Sequence, residues 1–147
     1  MHAFDLDTAA RYGKGPARLL ACILSIAVRD EAEGLTLGPD PTPGVVGVEM
    51  SYSVAGVRYL LVPPPMSWLP ALVDLIRQLA SGGDEMLPLR LGGHEFAAGA
   101  RIGPPASANQ VTIELPVSPH LSAAASAVLR DRADENGVIV FEESEFE

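Results

Sequence analysis

The sequence predicts an α+β fold, a mainly antiparallel sheet built from hairpins with about three helices packed on it. Three observations carry that expectation. Two pairs of alternating segments meet at tight-turn dipeptides, Ala55-Gly56 and Gly92-Gly93, and strands joined so closely must run antiparallel. Three other stretches repeat apolar residues every three or four positions, the signature of a helix with one buried face. The order is helix, strands, helix, strands, helix, strand, which does not alternate as a parallel βαβ fold would.

Residues 1–15 are polar and contain glycine, and are expected to form a flexible N-terminal arm. Gly15-Pro16 opens the first helix, because proline costs no hydrogen bond in a first turn. Leu19, Leu20, Ile23, Leu24, Ala27 and Val28 form its buried stripe, and Gly34 is expected to end it. Leu35 to Leu37 is a short strand. Pro39, Pro41 and Pro43 then mark a loop, since prolines leave no donors for a ladder. Val48, Met50, Tyr52 and Val54 alternate with Glu49, Ser51 and Ser53, and Val57 to Val62 returns as the hairpin partner.

Pro63-Pro64-Pro65 stops that strand. A second helix follows, with Ser67 as its expected cap and Leu69, Leu72, Val73, Ile76 and Leu79 inward. Ser81 to Asp84 ends it. Leu87, Leu89 and Leu91 alternate into the Gly92-Gly93 hairpin, and His94 to Ile102 returns. Gly103 to Asn109 is a loop, and Val111, Ile113 and Leu115 form another strand. A third helix fits Ser122 to Ala133, closed by Asn136-Gly137. Val138 to Phe141 is an apolar run expected to be a strand, and 142–147 an acidic tail. The organisation is thus an arm over 1–15, one domain over 16–141, and the tail.

The 147 residues suffice for one core without staples, and 48% hydrophobic against 20% charged residues is an ordinary globular composition. A net charge of −9 repels nucleic acid and anionic membrane, and favours a protein partner with a basic face. The single cysteine, Cys22, allows no internal disulfide and falls on the apolar helix stripe. Neither a signal-peptide pattern nor an apolar run of about 18 residues is present, so no membrane insertion and a cytoplasmic location are expected.

Candidate chemistry is sparse. His2, His94 and His120 share no ligand spacing with one another or with Cys22, so no metal site is expected. Gly13-Lys14-Gly15 lacks the spacing and preceding strand of a phosphate loop, and reads as an entry to the first helix. Asp84-Glu85 and the tail glutamates sit in solvated stretches, where nothing would separate their pKa values for acid–base work. Ser51, Ser53, Ser67 and Ser107 have no nucleophile-elbow context. Trp68 with Met66, and Phe141 and Phe146 around the acidic tail, are either partner anchors or ordinary packing. No catalytic residue, and so no enzyme, is expected.

The ordered set of segments resembles the N-terminal domain of the hexameric secretion ATPases that drive type II secretion and type IV pilus assembly. The match runs through the helix Leu19 to Ala32, the strands Leu35 to Leu37 and Val48 to Val54, the turn Ala55-Gly56-Val57 and the step Pro63 to Pro65. It continues through Trp68-Leu-Pro-Ala-Leu-Val-Asp-Leu-Ile-Arg-Gln-Leu-Ala80, the hairpin Leu87 to Gly103 and the strand Gln110 to Leu115. The resemblance implies a PAS-like fold and assigns one cofactor-binding position, Arg101, where that family places an arginine reaching toward nucleotide. The departures are as informative. The family's Asp-x-His-x-Glu strand reads Leu35-Thr36-Leu37-Gly38-Pro39, and its turn aspartate is Ala55. Where the family's apolar strand enters a glycine-rich phosphate loop, Phe141 is followed by Glu142-Glu143-Ser144-Glu145-Phe146-Glu147. Carboxylates there would repel a polyphosphate.

The resulting expectation is a non-catalytic, cofactor-free interaction module that lacks the motor. Its partner would be a secretion or pilus ATPase or a related assembly, and an exposed sheet edge would let two copies pair. Two alternatives from other classes stay open: a small-molecule-sensing PAS-like domain, and a remnant or split-gene product without independent function.

Overall fold

The computed structural model describes residues 3–80, 86–103, 110–132 and 139–146. Along the chain these form β1 (Phe4–Asp5), α1 (Leu6–Tyr12), α2 (Gly15–Arg29), β2 (Gly34–Pro39), β3 (Val48–Val54) and β4 (Val57–Leu61). A 3-10 turn, Met66–Trp68, leads into α3 (Leu69–Leu79), followed by β5 (Met86–Leu91), β6 (His94–Ile102), β7 (Val111–Glu114) and α4 (Pro119–Arg132). A second 3-10 turn covers Glu143–Phe146.

The strands make one seven-stranded sheet in the order β1-β5-β6-β7-β2-β3-β4. Every pairing is antiparallel except β1 with β5, which is parallel. The class is α+β, as the hairpin pattern predicts. Both hairpin turns form where the glycines announce them. Ala55 and Gly56 adopt φ of 51° and 82°, Gly92 and Gly93 of 57° and 81°, the doubly left-handed geometry that matches strand twist in a two-residue turn. The first strand after α2 and the last before α4, β2 and β7, lie side by side at the centre, and each flanking hairpin extends the sheet outward.

Period-two alternation puts one apolar face toward the helices. Leu35 and Leu37 of β2 pair in register with Ile113 and Val111 of β7, and with Tyr52 and Met50 of β3. Leu87, Leu89 and Leu91 of β5 are fully buried on the same face. The helices α1, α3 and α4 contact β5, and α2 packs among them with Leu20 and Leu24 almost fully enclosed; burying each such side chain contributes about 1.5–3 kcal/mol. The opposite sheet face is polar and small, with Thr36, Ser51, Ser53 and Thr112 among its residues.

Several boundaries differ from the sequence reading, each for a local reason. The expected flexible arm is built into the fold from Phe4 onward. Asp5 caps α1 by accepting the Thr8 N–H at 3.1 Å, and Leu6 and Ala10 are fully buried. This adds a fourth helix to the three expected. The first helix ends at Arg29 rather than at Gly34: Glu31 takes the left-handed conformation at φ 58°, and Gly34 begins β2. Ser67 does not cap α3; it lies inside the 3-10 turn, whose Trp68 N–H bonds the Pro65 carbonyl at 3.0 Å. The third expected helix starts earlier, at Pro119, with the Ser118 hydroxyl accepting the Leu121 N–H at 3.4 Å. Ile139 to Phe141 is not a strand. Asp84-Glu85, the loop 104–109, Ala133 and Asn136-Gly137 lie outside the described residues.

Candidate functional site

Four regions of the surface bear on function: the segment 139–146 on the start of α2, an ion-pair cluster at the end of α2, the free edge β4, and an apolar cleft beside α2.

The first of these departs from the reading of a solvated tail at Glu145 and Phe146, while Glu142 to Ser144 are exposed as that reading expects. Glu145 folds back on α2, 14% exposed, against an Arg18 side chain only 11% exposed. Its two carboxylate oxygens accept from Arg18 Nη1 at 3.2 and 3.1 Å. One also accepts the Gly15 N–H at 3.3 Å, the other the Glu142 N–H at 2.9 Å. Burial alone would raise the Glu145 pKa; the two backbone N–H groups and the Arg18 guanidinium outweigh it and hold it below the ordinary carboxylate value. Gly15 is required here, because its φ is 62° and a Cβ would stand 2.4 Å from the Glu145 carbonyl oxygen. The Gly13-Lys14-Gly15 stretch therefore does present an N–H to an oxyanion, but the anion belongs to this chain. The aromatic residues close the same contact: Phe146 stacks on Trp68 at 3.9 Å and 6°, and the Arg18 guanidinium lies 4.5 Å from the centre of the Phe141 ring. Trp68 and Phe146 thus pack on each other, and Phe141 packs on Arg18.

At the other end of α2, Asp30 accepts from Arg29 Nε at 2.9 Å and from the Tyr52 hydroxyl. Hydrogen bonding to Asp30 raises the Tyr52 pKa to about 12. Burial pushes Asp30 upward, and the hydrogen bonds from Arg29 and Tyr52 bring it net downward. The three groups satisfy one another and lock the helix end to β3.

Arg101, the position assigned by resemblance, is on β6 in register with Thr112 of β7. It is exposed on the polar face of the sheet. His94 and His120 are exposed, at the start of β6 and in the first turn of α4, and Cys22 is buried in α2. His2 lies outside the described residues. Among the described residues no three His, Cys, Asp or Glu side chains gather as a metal-binding group. Ser51 is buried and accepts from Arg58 Nε at 3.2 Å, so its hydroxyl is committed to β4.

Sequence reasoning did not single out the remaining two regions. The strand β4 is the last in the sheet, with only β3 beside it, and four of its five residues are exposed. Tyr59 is 48% exposed and Leu60 69%, and Val62 just beyond the strand is 90% exposed. The signal was present, since the strand has no polar alternation, but an apolar run does not say which face is covered.

The second is a cleft of about 760 Å³ walled by Leu19, Ile23 and Ile26 of α2, Met50 of β3, Pro63 to Pro65, Trp68, Leu129 of α4, and Ile139 and Phe141. Its residues come from five separate stretches of sequence, so no local pattern could announce it.

No family model matches this sequence, and no curated protein matches it.

Proposed function

We propose that the protein is a non-catalytic interaction module that docks through the β4 edge of its sheet, and that its partner is a secretion or pilus motor or a related cytoplasmic assembly. The observation that carries the reading is the exposed strand itself. An edge strand leaves a row of unpaired N–H and C=O groups, and soluble proteins ordinarily blunt such edges with charge, proline or cover. Here β4 presents Val57, Tyr59, Leu60 and then Val62 to solvent, with Arg58 as its one charge. Such an edge suits addition of a partner strand, with side-chain pockets supplying specificity. At the opposite end of the sheet β1 pairs with Leu89 and Arg90 of β5 and α1 packs against that strand, which leaves β4 as the longer edge strand.

The secretion-motor partner rests on the resemblance through Leu19 to Leu115. The placement of β2 beside β7, with a hairpin on either side, is consistent with the PAS-like arrangement that resemblance implies. The acidic balance, net −9, favours a basic receiving surface. The non-catalytic reading draws on the displaced titratable groups, Asp30, Tyr52, Arg29 and Glu145, which answer to structural partners. The helix N-terminus that could hold a phosphate carries Glu145 instead. No helix among the described residues is long and apolar enough to cross a membrane, which accords with a cytoplasmic setting.

The test is co-elution of the purified protein with the purified secretion or pilus ATPase of the same organism. Association at micromolar concentration that weakens with added salt is expected. Absence of association at that concentration overturns the partner, and phosphate release from ATP by this protein alone overturns the non-catalytic reading.

A further inference from the structure

The apolar cleft beside α2 meets the β4 edge only at Val62, and the docking reading makes no use of its other walls. Its volume, about 760 Å³, falls within the ~300–1,000 Å³ range of small-molecule sites. The α2 wall runs from Leu19 to Arg29, ten residues apart, a length of about 15 Å at helical rise. That length is open to an extended chain, along an aliphatic wall with Met50 and Trp68 also in the lining.

The charges at this cleft are the second observation. The chain carries 19 acidic and 10 basic residues, yet among the described residues the charged side chains lining the cleft are two arginines, Arg29 and Arg130, and no carboxylate. Arg29 is held by Asp30 through Nε at 2.9 Å and Nη2 at 3.3 Å, so much of its donor capacity is committed. Arg130 is exposed, and among the described residues its one hydrogen bond runs from Nε to the Ser126 carbonyl at 3.4 Å, a long contact within its own helix. Both terminal nitrogens of its guanidinium therefore remain for an outside acceptor, in the planar fork that matches a carboxylate.

We infer that the cleft binds a long-chain aliphatic carboxylate, its tail along the α2 stripe of Leu19, Ile23 and Ile26 and its head on Arg130. A nucleotide or sugar would leave its polar groups unpaired against these walls, and a cationic amphiphile would meet two guanidiniums. Apolar burial of the tail supplies the affinity, and the arginine fixes its direction.

The chain contains one tryptophan, Trp68, which lines the cleft, so its fluorescence reports occupancy directly. The probes are dodecanoate and dodecyltrimethylammonium, each titrated below its micelle-forming concentration. Dodecanoate is expected to change the emission saturably in the micromolar range, and the cation to bind at least tenfold more weakly. Arg130→Glu, at an exposed helix position where folding can be verified by circular dichroism, is expected to weaken dodecanoate at least tenfold and to reduce or reverse the preference. Leu60→Lys on β4 is expected to leave the titration unchanged, which separates this site from the docking edge. Equal binding of the two amphiphiles, no saturable response, or an Arg130→Glu variant with unaltered dodecanoate affinity would each overturn the inference, whatever the outcome of the co-elution experiment.

Discussion

Two stretches near the ends of the described chain, 3–12 and 139–146, are more firmly engaged with the body of the molecule than β4, a strand in its middle. Leu6 is fully buried beneath α1, while Leu60 is 69% exposed. Asp5, Asp7 and Glu145 each accept a backbone N–H, the last two from Gly92 and Gly15, far away in sequence. By contrast β4 is held by its ladder to β3, by the Tyr52–Tyr59 edge-to-face pair at 5.9 Å, and by Arg58 reaching Ser51 and Glu49. The difference teaches that the fold closes one sheet edge and leaves the other available. β1 is only two residues long, yet it pairs with Leu89 and Arg90 while α1 packs on β5, and nothing comparable among the described residues covers β4.

The largest way to break this contrast is on the closed side. Leu6→Ala removes a fully buried side chain from beneath α1, and such truncations cost about 2–5 kcal/mol. A loss near 3 kcal/mol, read from chemical denaturation, is expected. A frayed arm would show no change at all.

The second effect is at the other end. Glu145→Gln removes the charge from a carboxylate held by Arg18 and two N–H groups, and leaves the little-exposed guanidinium without its counterion. A cost of about 2 kcal/mol at neutral pH follows from the usual worth of charge-assisted bonds. The sign of the pH dependence is fixed by the depressed pKa. The folded state keeps Glu145 ionised below its ordinary value of 4.5, so its stabilisation is full above that pH and disappears as pH falls through the folded value. Denaturation curves of the two proteins should therefore converge in acid and differ by the full amount above pH 4.5.

A smaller change sharpens the same point. Asp5→Ala deletes the cap of α1, whose carboxylate accepts the Thr8 N–H. Caps of this type are worth about 1 kcal/mol. Thermal unfolding should register the loss as a drop of a few degrees, with α1 still docked through Leu6 and Ala10.

How far the sequence discloses this arrangement depends on the range of the interactions. Both hairpins are legible because alternation and turn glycines are local signals, and α2 is legible because its stripe persists over fifteen residues. The helix α1 is not, because seven residues offer only Leu6 and Ala10 as a buried pair among Asp7, Thr8 and Arg11. The run at Ile139 to Phe141 is apolar enough for a strand. The bare sequence has no means of showing that these side chains line a cleft instead. Glu145 is misread for a similar reason: its counterion is 127 residues away. Of the candidate sites, Arg101 could be placed only by resemblance. The cleft and the free edge are products of tertiary arrangement.

The smallest expected effect on stability is the most discriminating. Leu60→Lys makes the same kind of change on β4 that would ruin a core position, apolar to charged. Leu60 already meets water over most of its surface, and its register neighbour Ser51 is polar. Surface substitutions of this kind stay within about 0.5 kcal/mol, and lysine is a residue that natural edge strands use to repel incoming strands. The variant should therefore match the parent in denaturant midpoint while losing association with its partner by an order of magnitude or more. A variant that unfolds would mean that β4 is part of the stabilising core. One that folds and still associates would move the docking surface elsewhere. Only the pairing of unchanged stability with lost association fits an edge that the fold leaves open for another protein.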